Sequence, residues 1–311
     1  MPATALYANG NSILTPIPSP RSFSTWVRQW ELVELAGEGS LARVYRARPI
    51  TGPADCPPAY AVKMLRPQWQ EDHDAIGILQ REALAGMQVA HPHVVPLLAA
   101  HVLGAPRLLV MPWLEGATLQ ARLAAGEQFE ISRALWIARQ VAEALGGFHG
   151  RGWMHGDVTP GNLHLSPSGH VTLLDLSFAR RQADTGSAAD RPIMGTCNYL
   201  APEQLTSTLG SDIRSDIYSL GAVLFEVFSG RPPYQARDLA DLVTQQRHSS
   251  APDLSRLAPD LPREVLALVR QMLARDPLRR PQSPRELLAR LVALEIAAFH
   301  AQTPLSRRLS K

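Results

Sequence analysis

The sequence has few of the features that mark secreted or nucleic-acid-binding proteins. It contains two cysteines among 311 residues, and Cys56 and Cys197 have no CxxC or zinc-ligand spacing. This usage gives no disulfide framework and is typical of a reducing compartment. The formal net charge is only +3, and apart from the adjacent Arg307 and Arg308 the basic residues are scattered. The charge therefore gives no reason to expect a nucleic-acid partner.

Long apolar runs are also missing. The most apolar stretch, 217–228, contains Glu226 and is shorter than the roughly 20 residues that span a bilayer. We therefore expect a buried core helix there. The N-terminus has neither a basic segment nor a long apolar segment of the kind found in signal peptides. The expectation is a soluble cytoplasmic protein without a membrane partner.

The composition that remains is that of a globular protein, with 45% hydrophobic and 19% charged residues. A chain of this length can form one two-lobed unit or two domains with an ample core. The residues up to about Thr25 are rich in Pro, Ser, Thr and Asn and lack apolar periodicity. We expect that segment to be mostly disordered.

Three polar side chains stand among apolar residues between His155 and Asp175. Asp157 and Asn162 fall in a loop that contains Gly and Pro, and Asp175 lies at the end of a short β-like run over 171–176. Two carboxylates and an amide on neighbouring turns suit Mg-nucleotide chemistry. One carboxylate can orient a hydroxyl, while the other holds hard cations together with the amide. For this stretch alone, an ordinary loop aspartate near a turn is the alternative.

The order His-x-Asp-x-x-x-x-Asn, followed by a strand-end Asp, resembles the catalytic and metal loops of the protein kinase superfamily. The resemblance implies that Asp157 orients the acceptor hydroxyl and takes its proton. Thr159 stands where the family has a catalytic lysine. Asn162 and Asp175 are implied to hold Mg²⁺, or Mn²⁺, beside ATP.

The first half of the chain resembles the part of a kinase that binds the phosphates of ATP. Two predicted strands flank Gly37 and Gly39, as in the kinase glycine-rich loop, and a Rossmann interpretation fails because no helix follows the glycines. Lys63, in a strand over 60–64, resembles the lysine that binds the α- and β-phosphates. Glu82, in a helix predicted over 72–89, resembles the glutamate that pairs with this lysine.

The same resemblance implies further contacts to the nucleotide. They are Ala36, Val44 and Ala61 from the strands, Met111 as the gatekeeper, Leu114 in the hinge, and His164 beneath the adenine. His91 and His93 follow the helix that carries Glu82. We expect a turn before a strand at these histidines and no metal site.

The second half resembles the structural elements of the kinase helical lobe. Helices are predicted over 134–149 and 287–299 from their apolar spacing. Asp216 lies at the start of the central buried helix. Glu203, in Ala-Pro-Glu, is implied to pair with Arg280, and removing one partner of such a buried pair costs several kcal/mol.

The resemblance covers about Trp30 to Leu294. It implies an α+β, bilobal kinase-like fold with a β-rich lobe over 30–113 and a larger, mainly α-helical lobe over 114–298. Residues 1–29 and 299–311 are left as tails. It implies a serine/threonine protein kinase of the bacterial eukaryotic-like type, acting on a protein substrate. A regulatory partner at the helix that carries Glu82 is a further expectation.

Several positions depart from the kinase pattern. Thr159 carries no charge, and losing one such electrostatic donor costs about 3 kcal/mol, or roughly a hundredfold in rate. Gly86 replaces an apolar side chain, so we expect its helix to be loosely held. Ser177 replaces the glycine after the metal aspartate and narrows the freedom of that turn. Gly156 replaces the arginine that pairs with a phosphorylated activation segment.

Three functions remain open from the sequence. An active protein kinase is favoured by the retained lysine, aspartates and asparagine, and a nucleotide-binding pseudokinase by Thr159 and Gly86. A small-molecule phosphotransferase shares the His-Gly-Asp loop but lacks the Ala-Pro-Glu segment. With glycine at position 156, phosphorylation of Thr185 or Ser187 is expected to change catalysis little, with control at the Glu82 helix or in the N-terminal tail.

Overall fold

The computed structural model describes residues 25–51, 53, 56–182, 197–206 and 211–302. Its N-terminal part is an antiparallel sheet whose six strands lie in the order β1-β2-β3-β4-β6-β5. The strands are β1 Thr25–Val27, β2 Trp30–Glu38, β3 Ala42–Pro49, β4 Tyr60–Leu65, β5 Ala99–His101 and β6 Leu108–Pro112.

The β2–β3 hairpin forms where the two glycines predicted it, and its turn is shorter than predicted because Gly37 belongs to strand β2. Strand pairing continues through Gly37, which lies opposite Val44, and on to Glu38. The chain reverses after Gly39, whose backbone N–H donates to the carbonyl oxygen of Ala42 at 2.8 Å. Two register shifts interrupt the pairing of β2, and such bulges bend a strand. The glycines therefore lie on a bent hairpin at the edge of the lobe interface.

Strand β1 lies inside the segment 1–29 that composition predicted to be a disordered tail. It pairs antiparallel with β2, with Val27 opposite Trp30. Arg28 has a φ of 54° at the turn between them, and its guanidinium donates to the carbonyl of Gly104 at 3.1 Å. The prediction of disorder was thus wrong for 25–29, because the Thr-Trp-Val triplet is a good strand former that the surrounding Pro and Ser concealed.

Helix α1, His73–Gln88, packs on this sheet and matches the helix predicted over 72–89. Asp72 caps it by accepting a hydrogen bond from the backbone N–H of Ala75 at 2.9 Å, which satisfies a donor that the first turn leaves free. Its inner face, around Leu79, packs with Leu109 of β6 in one apolar cluster. This packing fixes the direction of every α1 side chain relative to the sheet.

The rest of the described chain is mainly helical, so the α+β, bilobal architecture is confirmed. The helices are α2 Leu119–Ala124, α3 Ile131–His149, α4 Pro202–Thr206, α5 Ile213–Ser229, α6 Leu239–His248, α7 Leu254–Leu257, α8 Arg263–Met272 and α9 Pro284–Gln302.

Helix α5 is the buried core helix that the apolar run 217–228 predicted, and it begins four residues earlier. Asp212 accepts a hydrogen bond from the backbone N–H of Arg214 at 2.8 Å, and Gly230 ends the helix at a φ of 76°. Nearly every residue between Ile213 and Phe225 is buried. In the part of the chain that the structure covers, no helix is long and apolar enough to cross a membrane.

Two other helices are longer than their apolar spacing predicted. Helix α3 starts at Ile131 rather than at residue 134. Helix α9 spans Pro284–Gln302 instead of 287–299 and so enters the segment predicted as a C-terminal tail. Apolar spacing locates the buried stripe of a helix, whereas the first and last turns include residues outside that stripe. Helix ends are therefore the least certain part of such a prediction.

Short strands between the lobes support the loops of the site. β10, β9 and β7 form one small sheet, and β11 pairs with β8. Their bounds are β7 Ala117–Thr118, β8 Trp153–Met154, β9 Leu163–Leu165, β10 Val171–Leu173 and β11 Arg180–Arg181. β10 is shorter than the run predicted over 171–176, so Asp175 lies two residues beyond its end.

Candidate active site

Lys63 is held between two carboxylates from distant parts of the chain. Its Nζ lies 2.8 Å from both carboxylate oxygens of Glu82 and 2.9 Å from Oδ1 of Asp175. The lysine comes from β4, the glutamate from the inner face of α1, and the aspartate from the loop after β10. Helix α1 is thus seated against the sheet with its glutamate turned into the cleft.

The electrostatics of this trio follow from burial and from the shared cation. Burial opposes the charge on Lys63, but the two carboxylates outweigh it and raise its pKa. For Asp175 burial is likewise outweighed, mainly by Lys63, and its pKa falls to about 2. Burial raises the pKa of Glu82 to about 7 against the pull of Lys63. The two pKa values differ because the negative charge of Asp175 adds to the rise at Glu82, whereas hydrogen bonds from Ser177 lower the pKa of Asp175 further.

Asp175 adopts a backbone conformation that residues other than glycine rarely adopt. Its φ is 54°, and its Oδ1 accepts a hydrogen bond from the backbone N–H of Ser177 at 3.1 Å. Such strained residues persist only where the surrounding contacts over-determine them. Here Lys63 supplies that contact, so the carboxylate is held toward the cleft.

The catalytic-loop candidates Asp157 and Asn162 contact each other directly. The amide nitrogen of Asn162 donates to the backbone oxygen of Asp157 at 2.9 Å and to its Oδ2 at 2.7 Å. Burial, followed by the negative charge of Asp175, raises the pKa of Asp157 to about 7. A carboxylate whose pKa lies near 7 can exchange a proton at physiological pH, as a general base must.

Asp216, at the start of α5, fixes the backbone of this loop. Its two carboxylate oxygens accept hydrogen bonds from the backbone N–H groups of His155 and Gly156, both at 2.7 Å. Burial raises the pKa of Asp216 to about 6, although these two donors oppose the shift. The structural role expected for Asp216 thus has a geometric basis, since one side chain from the core helix orients two successive peptide groups.

Gly156 is required by the local backbone. Its φ is 81°, and a Cβ at this position would lie 2.7 Å from the carbonyl oxygen of Phe178. Sequence reasoning treated this glycine only as a missing arginine. The glycine beside the candidate residue Asp157 was the available signal, because glycine is the residue that adopts positive φ without strain.

His155 is a neutral, buried element of the same loop. Its Nδ1 accepts from the backbone N–H of Asp157 at 3.2 Å, and its Nε2 lies 3.0 Å from the carbonyl oxygen of Leu174. A carbonyl oxygen only accepts, so the proton is on Nε2. Burial lowers the pKa of His155 to about 4, so the ring stays uncharged and links the catalytic loop to the loop of Asp175.

The residues expected to contact the nucleotide follow the strand register. Val44 lies opposite Lys63, and Ala61 lies opposite Met111. His164, on β9, is buried, and its ring lies close to Gly116 in the connection between the lobes. Burial and then Arg122 lower its pKa, which leaves a neutral ring.

Two further expected positions lie at the ends of the nucleotide-binding set. Ala36 is exposed on β2, in the strand that leads into the glycine turn. Leu114 is partly buried in the connection between the lobes, two residues after β6. The sequence-predicted set thus extends from the glycine hairpin to the interlobe connection.

Thr159 is buried and carries no charge in the place of the expected lysine. Beside it, the side chain of Gln120 lies over Gly161, where its Oε1 would be 2.8 Å from a Cβ built on the glycine. Sequence reasoning missed Gln120, since nothing in its local sequence points to the catalytic loop. The absence of a side chain at Gly161 makes room for this amide.

The Glu203–Arg280 pair is present and buried. Nη1 and Nη2 of Arg280 donate to the two carboxylate oxygens of Glu203 at 2.5 and 2.8 Å. The hydroxyl of Ser215 donates to the same glutamate at 2.7 Å. The pair joins the segment after Ala-Pro to the loop before α9, and so fixes α4 against the core of the helical lobe.

Gly86 does not leave a gap behind α1. A Cβ at this position would lie 2.9 Å from the Cβ of Leu97, so the helix approaches the segment before β5 closely. The expectation of a loosely held helix was wrong, because the missing side chain is compensated by the nearer backbone and by Leu97.

Three arginines line a groove between α1 and β11. The groove has a volume of about 360 Å³ and is lined by Gln80, Arg81, Leu84, Trp153, Arg180 and Arg181. The expectation that phosphorylation of Thr185 or Ser187 changes catalysis little stays a prediction. Thr185 and Ser187 lie outside the described residues.

The family of the chain follows from comparison with known proteins. A family model described as protein kinase domain matches residues 30–291. The chain belongs to the protein kinase family. The match spans both lobes of this kinase domain and includes Lys63 and Arg280.

The kinase domain is also similar to curated bacterial proteins. It is 31% identical over 283 residues to the serine/threonine-protein kinase PknD of Mycobacterium tuberculosis, covering 90% of this chain and 42% of the relative. It is 27% identical over 261 residues to PrkC of Bacillus subtilis, covering 84% and 40%. It is 31% identical over 270 residues to PknB of Mycolicibacterium smegmatis, covering 85% and 42%. The chain thus spans about two fifths of the length of these relatives.

Proposed function

We propose that the chain is a serine/threonine protein kinase that transfers the γ-phosphoryl group of Mg-ATP to a protein hydroxyl. The observation that carries this proposal is the assembled trio of Lys63, Glu82 and Asp175, with the Asp157–Asn162 pair in the adjoining loop. These are the groups that phosphoryl transfer in this family needs, since catalysis there is positioning and electrostatic stabilisation. The names of the relatives, all serine/threonine-protein kinases, support the same conclusion.

The oxygen donors of the site suit a divalent metal ion. The amide nitrogen of Asn162 is used by Asp157, so its amide oxygen is the atom available to a cation. Asp175, with a pKa lowered to about 2, stays ionised. Carboxylate and amide oxygens suit Mg²⁺ or Mn²⁺, so Asn162 and Asp175 would hold the ion. When bound, the ion neutralises charge on the phosphates.

The residues of the chain divide the remaining work. Asp157, held by the amide of Asn162, would orient the acceptor hydroxyl and take its proton as the oxygen attacks the γ-phosphorus. Lys63 would bind the α- and β-phosphates, with Glu82 keeping it in place. Gly37 and Gly39, on the β2–β3 hairpin, would let the backbone cover the phosphates closely, because neither residue carries a Cβ.

The adenine would lie between the lobes. Ala36, Val44 and Ala61 would contact it from the sheet, with Met111 and Leu114 at its rear and edge. His164 would lie beneath it as a neutral ring, since its pKa is lowered by burial, and so stack without a charge penalty.

A nucleotide-binding pseudokinase is the second candidate, and Thr159 is the observation that favours it. Lys63 is the cation among the main causes that act on the pKa of Asp157, and its effect is smaller than that of burial and of Asp175. The loss of the lysine charge is consistent with a slow enzyme, but the base and both metal ligands remain, and phosphoryl transfer needs these most. Weak activity is therefore the expectation, rather than none.

The remaining proposals concern setting. Free cysteines at Cys56 and Cys197 and the use of ATP favour the cytoplasm of a bacterium. A protein bearing Ser or Thr is the proposed substrate, and a regulatory protein at α1 the proposed partner.

The test compares wild type with Asp157→Asn in a phosphoryl-transfer assay with labelled ATP. Wild type is expected to label itself or a generic Ser/Thr protein, whereas Asp157→Asn is expected to lose transfer and keep its ATP affinity within a few fold. Asp260→Asn, an exposed aspartate in the loop before α8, serves as the matched control. Equal labelling by wild type and Asp157→Asn would exclude the proposed role, and binding without any labelling would identify a pseudokinase.

A further inference from the structure

Three histidines lie together at the joint between the lobes, away from the nucleotide site. His91 and His93 belong to the loop after α1, and His170 precedes β10. The ring centroids of His93 and His170 are 4.6 Å apart in a stacked arrangement, and those of His91 and His93 are 5.7 Å apart. The sequence predicted only a turn here.

His93 contacts two groups that can only accept hydrogen bonds. Its Nδ1 lies 2.8 Å from the carbonyl oxygen of Val171, and its Nε2 lies 3.1 Å from Oε2 of Glu143 on α3. A neutral imidazole carries one N–H, so it can donate to only one of these oxygens. Filling both contacts requires a hydrogen on each ring nitrogen, and thus a positive charge on His93.

The other two histidines have contacts that a neutral ring can fill. Nδ1 of His91 accepts from the backbone N–H of His93 at 3.2 Å. Burial, followed by the charge of His93, lowers the pKa of His91. Nε2 of His170 lies 3.1 Å from the carbonyl oxygen of Pro92, a contact that a neutral ring can fill.

The other charged groups at this joint form a connected series. Arg139 on α3 donates to the same carboxylate of Glu143, and its Nε donates to Glu295 on α9 at 2.9 Å. Arg151, in the turn after α3, lowers the pKa of His91 further. Glu143 is thus the acidic group that faces the histidines, and it is shared between an arginine and His93.

The same loop is tied to the strand that leads to the metal-binding aspartate. The backbone N–H of Leu173 donates to the carbonyl oxygen of His93 at 2.9 Å, and the backbone N–H of Val95 donates to the carbonyl oxygen of Leu173 at 3.0 Å. Val94 forms a parallel bridge with Leu173. His93 therefore holds β10 from both its ring and its backbone, two residues before Asp175.

We propose that His93, protonated on both ring nitrogens, is a positioning residue that holds Glu82 and Asp175 in register around Lys63. Helix α1, which carries Glu82, ends five residues before His93, and β10, which leads to Asp175, is held by its ring. When one ring proton is lost, a nitrogen lone pair faces an acceptor oxygen, and the repulsion weakens the contact of His93 with Val171 or Glu143. The role in nucleotide binding rests on the proposed function, whereas the protonation and the clamp on β10 do not.

The first experiment reads the protonation directly by NMR of the full chain labelled with ¹⁵N-histidine. His93→Phe, which keeps a flat ring and removes both donors, assigns the signals. Both His93 nitrogens are expected to give the shifts of protonated nitrogen at neutral pH, while His91 keeps one bare nitrogen. A bare nitrogen on His93 at neutral pH would overturn the proposal.

The second experiment reads the clamp by hydrogen exchange at the Leu173 amide and by Mg-ATP binding across pH 5 to 9. His93→Phe is expected to exchange faster and to bind Mg-ATP about tenfold more weakly, within the range of ordinary coupling between sites. Glu143→Gln is expected to keep the clamp and lose the dependence on His93 protonation, because an amide can donate to a neutral ring or accept from a charged one. Arg139→Gln measures the separate cost of losing the neighbouring arginine.

His149→Phe, an exposed histidine at the end of α3, is the matched control and should match wild type in both readouts. Wild-type exchange at Leu173 in His93→Phe, or a pH profile unchanged in Glu143→Gln, would overturn the proposal. If His93→Phe does not fold, the exchange and binding profiles of Glu143→Gln still decide. If wild type binds no Mg-ATP while the exchange result holds, the proposed function has failed and the clamp on β10 stands.

Discussion

Replacing Glu203 by glutamine is expected to destabilise the helical lobe strongly, because it leaves a buried guanidinium without its counter-charge. The Arg280 side chain is 0% exposed, and Glu203 is 10% exposed. Two N–H groups of the arginine donate to the carboxylate, and the other three donate to the backbone oxygens of Arg214, Ala274 and Arg275 at 3.0, 2.8 and 3.1 Å. The arginine therefore has no spare direction in which to find water.

The magnitude follows from the exposure and from the hydrogen bonds. Breaking a buried ion pair by neutralising one partner costs about 3–5 kcal/mol. Glutamine keeps one acceptor oxygen but places an NH₂ group against an arginine N–H, so we expect about 4 kcal/mol. In a lobe of this size, such a loss lowers the melting temperature by on the order of 10 °C.

The assay is thermal and urea unfolding of wild type and Glu203→Gln, followed by far-UV circular dichroism. Arg237→Ala is the matched control, because Arg237 makes an ion pair to Asp241 at 3.1 Å but is 87% exposed. Exposed pairs contribute about 0–1 kcal/mol, so this variant should unfold close to wild type. A melting temperature for Glu203→Gln within 2 °C of wild type would refute the reasoning from burial.

Three further outcomes are expected. Gly156→Ala should lower the free energy of unfolding by about 2 kcal/mol, since it forces an alanine to a φ of 81° with its Cβ 2.7 Å from the Phe178 oxygen. Gly126→Ala is the comparison, because Gly126 has open space around it. Equal stability of the two variants would count against a steric origin. Because the pKa of Asp157 is raised to about 7 and only its ionised form accepts a proton, kcat/KM should rise with pH through about 7, and a flat profile there would exclude Asp157 as the titrating base. Thr159→Lys should raise the transfer rate and move that rise to lower pH, since a nearby cation favours the carboxylate; an unchanged profile would show that the new charge does not reach Asp157.

Much of the site was predictable because the family motifs carry their own spacing. Lys63, Glu82 and Asp175 are separated by up to 112 positions, and no periodicity connects them. Their meeting was predicted from the order of kinase motifs. Apolar spacing alone located α1 and α3, since a buried stripe is visible in a single sequence, and a continuous apolar run located α5. Their end turns were less predictable for the same reason.

What the sequence did not provide was contacts that depend on how closely two backbones approach. Gln120, on α2, lies over Gly161 of the catalytic loop, about 40 positions away in the sequence. The contact of His93 with Glu143 joins residues 50 positions apart on different elements. Neither Gln120 nor Glu143 belongs to a local sequence pattern, so the sequence of single segments could not predict either contact.

The two glycine departures illustrate a general error in reading a family pattern by what is missing. Gly86 was interpreted as a lost packing side chain and Gly156 as a lost arginine, but each lies where another group already fills the space. At Gly86 that group is Leu97, and at Gly156 it is the backbone of Phe178. A small residue can mark a closer approach of two segments as well as a cavity, and the two have opposite effects on rigidity. In this kinase both glycines lie beside site residues that are firmly held, Glu82 and Asp157, which favours the close approach and argues against a vestigial, loosened site.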